Sequence, residues 1–147
     1  MQDAPIVVGI DGSSDSRQAL QWAVDFARRY NIALRAMTVW DTPPTYGRVT
    51  YAAPGSSHSQ SEARAMLADV VRAVVGDETN VSQRIEQGDP GPVLVHEAAD
   101  AEFLVVGTRD RNTSFARRLV GSVSMYCIEQ ASCPVVLCGR ERGRARI

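Results

Sequence analysis

The sequence predicts an α/β fold: an open five-stranded parallel sheet with helices on both faces. Three observations carry that expectation. Short apolar runs recur along the 147 residues at 5–10, 33–40, 102–106 and 134–138, with a weakly alternating stretch at 80–86. Between successive runs lies a segment with helical apolar spacing, so each crossover deposits a helix on one face of the sheet. Two runs also end unlike ordinary connections, in Gly9, Ile10, Asp11, Gly12 and Ser13 after the first and in Val106, Gly107, Thr108 and Arg109 after the fourth. In the strand order 3-2-1-4-5, strands one and four are neighbours at the point where the order reverses. Both odd ends then face one crevice, where open α/β sheets bind ligands.

Taken in order, the run at 5–10 is nearly all apolar with Pro5 at its start, which suits a strand buried on both faces. Ser13 or Ser14 caps the next segment, in which Ser16, Ala19, Leu20, Ala23, Val24 and Ala27 recur at helical spacing as far as about Arg29. Residues 33–40 give the second strand. Residues 41–59, rich in Pro, Gly, Tyr and Ser, show no periodicity and read as a long mobile loop, either a lid or a disordered connection. Over 61–75, Ala63, Met66, Leu67, Val70, Val71, Val74 and Val75 share one helical face, and Gly76 terminates it. The stretch at 80–86 reads as an edge strand with one solvated face. Gly88, Asp89, Pro90, Gly91 and Pro92 turn the chain into a third helix carrying Val93, Leu94, Ala98 and Ala99. A fourth strand at 102–106, a fourth helix at 121–130 and a last strand at 134–138 complete the pattern. No internal repeat is present, and the length is that of one domain, 1–147, with an Arg-rich tail at 140–147.

Composition excludes several classes. A formal net charge of −1 argues against a nucleic-acid or membrane-surface partner, either of which calls for a basic excess. No run approaches the roughly 20 apolar residues of a membrane span, and the N-terminus lacks a secretory pattern, so a cytoplasmic location is expected. Cys127, Cys133 and Cys138 are odd in number and without C-x-x-C spacing, which supports neither a disulfide framework nor a zinc site. His58 and His96 have no partner at metal-ligand spacing. All 16 basic side chains are arginine. A Walker A loop and a kinase-type site each need a lysine, so neither is present.

The stretch 104–124 has the makings of a phosphate cradle. An apolar strand ends at Gly107, an Arg-rich loop follows, and Gly121, Ser122, Val123 and Ser124 open a helix whose first N–H groups have no partner within it. Ile6 to Ser13 with Ala19, Leu20 and Ala23, then Leu104 to Gly107, Leu119 to Ser124, and Cys133 to Val136 together resemble the universal stress protein family over essentially the whole chain. The resemblance implies a Rossmann-like fold of the adenine nucleotide alpha hydrolase type. Nucleotide-binding members carry Gly, two residues, Gly, nine residues, Gly and then Ser or Thr. This chain keeps Gly107 and the pair Gly121 and Ser122, but Asp110 or Arg111 stands where the middle glycine belongs, because the loop is one residue longer. By resemblance, Asp11 holds the ribose or the adenine end and the backbone of Val39 meets the adenine. Gly107, Gly121, Ser122, Val123 and Ser124 then cradle the phosphates. Asp110 brings a charge that repels phosphate, which Arg109, Arg111, Arg117 and Arg118 offset with forked donors. Plainer roles fit the same residues: Asp11 braces the turn into helix one, Ser122 is an N-cap, and the loop arginines form a solvated face.

The function implied is a stress-response sensor or regulator that binds ATP or AMP, with or without Mg²⁺. Any ATPase activity would be slow, since no general base is placed beside the phosphates. One alternative is a nucleotide-free member acting through protein contacts. Another is an adenylating enzyme, because Gly12 to Ser16 faintly resembles the Ser-Gly-Gly-x-Asp-Ser loop of ATP pyrophosphatases, although it lacks the paired glycines. Tyr46 and Tyr51 are the candidates for a lid over the base, whereas Trp22 lies at helical spacing and reads as packing. The last strand is an unpaired apolar edge, so homodimerisation through residues 134–138 is expected.

Overall fold

Chain order is β1 (Ile6–Gly9), α1 (Ser14–Tyr30), β2 (Leu34–Trp40), β3 (Thr45–Tyr46), β4 (Val49–Thr50), α2 (Gln60–Val75), β5 (Val81–Gln87), α3 (Pro90–Glu97), β6 (Phe103–Gly107), α4 (Ser122–Gln130) and β7 (Val135–Cys138). These come from a computed structural model that describes residues 4–41, 45–46, 49–50, 59–77, 80–108 and 121–139. The main sheet runs β5-β2-β1-β6-β7 with every neighbouring pair parallel. Counting only its strands, that is the expected order 3-2-1-4-5.

Period-two alternation divides the core between the two faces of the sheet. Ile6, Val8, Leu34 and Val105 join Leu20, Val24, Leu67 and Val70 on the side of α1 and α2. Val7, Met37, Leu104 and Val106 join Leu94 and Cys127 on the side of α3 and α4. The two helices of the second side approach closely at Gly91, where a Cβ would sit 2.9 Å from the Tyr126 ring. Both outer strands are less covered: in β5, Ser82, Gln83 and Arg84 are exposed, and all four residues of β7 are only half-buried.

Helix ends follow local chemistry. Ser13, rather than Ser14, caps α1 by accepting the Ser16 N–H at 3.1 Å, and Asn31 closes the helix in the left-handed region at φ 56°. Ser59 caps α2 by accepting the Glu62 N–H, and Gly76 ends it at φ 76°, as its position predicts. Asp89 starts α3 through its carbonyl, which takes the Val93 N–H at 3.0 Å, while its side chain makes no cap bond. Two expectations are corrected. Gly121 is the N-cap of α4, because the extended backbone belongs to it and Ser122 is already helical. The segment expected to lack regular structure contains the antiparallel pair β3 and β4 (Thr45↔Thr50, Tyr46↔Val49). Residues 42–44, 47–48 and 51–58, including Tyr51 and His58, lie outside the described residues, as does the tail from 140.

Candidate functional site

From β1 the chain proceeds to β2 and β5 on one side, whereas β6 and β7 lie on the other, so the strand order reverses between β1 and β6. Just past their carboxyl ends the chain is tightly pinned. The Ile10 N–H bonds the Met37 carbonyl at 2.8 Å, and the buried Thr38 hydroxyl donates to the Ile10 carbonyl at 2.9 Å. Gly12 then takes φ 84°, a conformation open to glycine, and turns the chain into α1. Asp11, exposed at the rim, accepts the Ser13 N–H at 2.9 Å on Oδ1. It therefore braces the turn, as the plainer reading of it anticipates.

At the end of β6 the packing is closer still. A Cβ on Gly107 would come within 2.8 Å of the Asp15 Cβ and 3.0 Å of the Asp15 carbonyl carbon. The glycine is therefore required for the first turn of α1 to lie against the strand end. Thr108 donates its hydroxyl to the Asp15 carboxylate at 3.0 Å, and Asp15 is only 3% exposed. Thr108 also donates its N–H to the Cys138 carbonyl at 3.1 Å and accepts the Gly121 N–H at 2.7 Å. The buried Ser124 hydroxyl donates to the Gly107 carbonyl.

These contacts set the N-termini of both α1 and α4 against one strand end. Hydrogen bonding within α4 begins with the Met125 N–H on the Gly121 carbonyl, so Ser122, Val123 and Ser124 make up the first turn, whose N–H groups point out of the helix. Two helix N-termini, each worth roughly half a positive charge, thus meet the end of β6, that of α1 carrying the buried Asp15 carboxylate in its first turn. On the β2 side, backbone alternation decides what the crevice sees. Because the Met37 carbonyl faces β1 and the Trp40 carbonyl takes the Gly88 N–H at 2.9 Å on the β5 side, Val39 directs its N–H and C=O toward the β1 side. The last β1 pair is Gly9 with Met37, so Val39 lies beyond the end of that strand.

Of the residues the sequence points to, the structure thus brings together Asp11, Val39, Gly107, Gly121, Ser122, Val123 and Ser124. Arg109, Arg111, Arg117, Arg118 and Asp110 lie outside the described residues. Asp15, Thr38 and Thr108 are the site residues that sequence reasoning missed. For Asp15 a signal existed, an acidic residue in a first helical turn, but its partner Thr108 is 93 positions away.

The thiols are not part of this crevice chemistry. Burial pushes Cys127 and Cys138 up to about 11, with Cys133 adding to the effect on Cys127. No group of three or more His, Cys, Asp or Glu suited to a metal occurs among the described residues. None of their helices is long and apolar enough to cross a membrane. A groove lined by Val24, Asn31, Leu34 and Val81 lies at the opposite end of the strands, where β2 and β5 begin.

The pattern characteristic of the Universal stress protein family matches residues 4–139. The chain belongs to the universal stress protein family. It is 32% identical over 139 residues to a universal stress protein of Mycolicibacterium smegmatis, covering 90% of this chain and 45% of that protein. To a universal stress protein of Mycobacterium tuberculosis it is 35% identical over 134 residues, covering 90% and 47% respectively. The chain thus spans about half the length of these curated relatives. Among solved structures, a universal stress protein in complex with cAMP matches with a TM-score of 0.67 and 27% identity, covering 95% of this chain and 98% of that one. The universal stress protein fold accounts for the sheet order and for the helices on both faces.

Proposed function

We propose that this universal stress protein binds an adenine nucleotide, ATP or AMP, in the crevice between the ends of β1 and β6. The observation that carries the reading is the convergence of the α1 and α4 N-termini on the end of β6, with the backbone of Val39 directed toward the β1 side. In this arrangement the N–H groups of Ser122, Val123 and Ser124 take the phosphates, Asp11 at the rim takes the ribose, and Val39 meets the adenine edge. Gly107 contributes by letting α1 close on the strand end. Arg109 and Arg111 would add forked donors to the phosphates, offsetting Asp110. The similar structure in complex with cAMP supports an adenine ligand. Mg²⁺ would travel with the phosphates of ATP. The cellular role consistent with family membership is that of a cytoplasmic stress sensor or regulator. The two carboxylates nearby are engaged in the fold, Asp15 with the Thr108 hydroxyl and Asp11 with the Ser13 N–H, so hydrolysis would be slow at most.

The test is to denature the purified protein and assay released nucleotide, alongside calorimetric titration with ATP, AMP and cAMP with and without Mg²⁺. Retained nucleotide or a saturable binding heat is expected. Absence of both retained nucleotide and binding heat at millimolar ligand would overturn the proposal. Asp110→Gly is expected to tighten binding; an unchanged affinity would show that the loop charge is not what limits it.

A second reading, a nucleotide-free member acting through protein contacts, has one observation in its favour. Gly107 and the Ser124 hydroxyl are both engaged in internal packing, so their presence is explained without ligand. Either reading accommodates a homodimer through β7. The Leu104 N–H bonds the Pro134 carbonyl and the Thr108 N–H bonds the Cys138 carbonyl, so alternation turns the backbone groups of Val135 and Leu137 outward. Leu137→Pro removes an edge donor without removing a bond to β6, and it is expected to yield a folded monomer in sedimentation velocity. A dimer of unchanged affinity would show that this edge is not the interface.

A further inference from the structure

The chain leaves the main sheet beside the crevice. Its strands are all parallel, so β7 ends at the same rim as β1 and β6. Gly139, the exposed residue after β7, lies directly against Thr108: a Cβ on it would meet the Thr108 Oγ1 at 3.3 Å and Cγ2 at 3.5 Å. Thr108 gives its N–H to the Cys138 carbonyl at 3.1 Å and takes the Gly121 N–H at 2.7 Å. One residue therefore separates the exit of the chain from the cap of α4, and the Cys138 carbonyl lies within about 10 Å of the Gly121 N–H. Residues 140–147 continue from that exit with Arg140, Arg142, Arg144 and Arg146 against a single acid, Glu141. The rest of the chain has the opposite balance, twelve arginines against sixteen acidic residues. Fully extended, the eight tail residues span at most about 28 Å, so all four arginines have the α4 N-terminus within reach.

Charge along the rim is graded in the same direction. Asp11 follows β1, Asp41 follows β2 and Asp89 follows β5, all three exposed, whereas the rim beyond β6 passes to the exit of the arginine tail. With adenine at Val39 and the first phosphate at Ser122 to Ser124, the long axis of the nucleotide runs from β2 across β1 to β6. Each further phosphate then extends away from those carboxylates and toward β7. Of the two helix N-termini at the end of β6, that of α1 already carries the buried Asp15 carboxylate, which leaves α4 to serve a phosphate. The added charge of a triphosphate calls for cations that one helix N-terminus does not supply.

We propose that residues 140–147 are an arginine arm that takes the β- and γ-phosphates and so makes the site select ATP over AMP. The inference rests on the adenine-nucleotide reading of the crevice and adds which nucleotide it prefers. A guanidinium meets phosphate oxygens with two parallel N–H donors and keeps its charge at any working pH. AMP lacks the two phosphates concerned, so the arm leaves its affinity unchanged.

The test compares the unaltered chain with a full-length variant carrying Arg140→Gln, Arg142→Gln, Arg144→Gln and Arg146→Gln. Both are titrated calorimetrically with ATP and with AMP at equal free Mg²⁺, in low and in high salt. The unaltered chain is expected to bind ATP more tightly than AMP. The variant is expected to lose roughly tenfold or more in ATP affinity, the worth of one charge-assisted hydrogen bond, while its AMP affinity stays within about twofold. High salt is expected to narrow the ATP difference between the two proteins. Glu141→Gln is expected to tighten ATP and leave AMP unchanged. An unaltered chain that binds AMP as tightly as ATP, or a preference equal in both proteins, would overturn the arm and leave the nucleotide reading standing. No binding of either nucleotide by the unaltered chain overturns both.

Discussion

Gly107 has no room for a side chain. The atoms that a Cβ would meet at 2.8 and 3.0 Å belong to Asp15, the nearer to its Cβ and the other to its backbone. Neither is the far end of a flexible chain, so the helix itself must move. Gly107→Ala is therefore expected to destabilise the protein by about 1–3 kcal/mol, read as a lower urea midpoint. An unchanged midpoint would mean that α1 shifts freely. Thr108→Val removes the hydroxyl that bonds the buried Asp15 carboxylate, and a loss of about 1–3 kcal/mol is expected on the same assay. Cys127 offers a separate check. Its thiol is fully buried and pushed up to about 11, so near pH 8 almost none of it is thiolate. Iodoacetamide is expected to spare it until the protein is unfolded, since the thiolate is the reacting form. Labelling at the rate of a free thiol would contradict the burial.

At the scale of elements, the caps are the cheapest features to test. Ser13→Ala removes the acceptor for the Ser16 N–H and is expected to cost about 0.5–2 kcal/mol, with Ser13→Gly milder. Equal stability of Ser13→Ala and the unaltered chain would show that the Asp11 turn alone holds the helix start. The main elements were legible because each announces itself locally. Leu20, Val24 and Ala27 mark a helix, the apolar run from Ile6 marks a buried strand, and Gly76 marks a stop. β3 and β4 were not legible, since two-residue strands are too short to display a period. The site divided along the same line. Gly121 to Ser124 could be read as a helix start from their own order, and Asp11 from its place after a strand. The Asp15 to Thr108 bond and the real reason for Gly107 are contacts between distant parts of the chain, which no local pattern encodes.

For the molecule as a whole, the sheet is built from the centre outward. Ile6, Val7 and Val8 of β1 and Leu104 and Val105 of β6 have no measurable exposure, while most of β5 faces solvent on one side. Amides of β1 and β6 are expected to exchange with deuterium only through global unfolding, and those at Ser82, Gln83 and Arg84 well before. Equal protection of the two sets would show that the sheet opens as one unit. The 2.7 Å bond between the Gly121 N–H and the Thr108 carbonyl has a consequence for how this chain can vary. It makes departure and return of the chain at residues 108 and 121 a single anchored point, so whatever runs between them is an interchangeable insert. Lengthening such an insert is thermodynamically cheap, on the order of 0.6 kcal/mol even for a doubling. Changes in the length of the chain between residues 108 and 121 can therefore leave the register of β6 and β7 untouched.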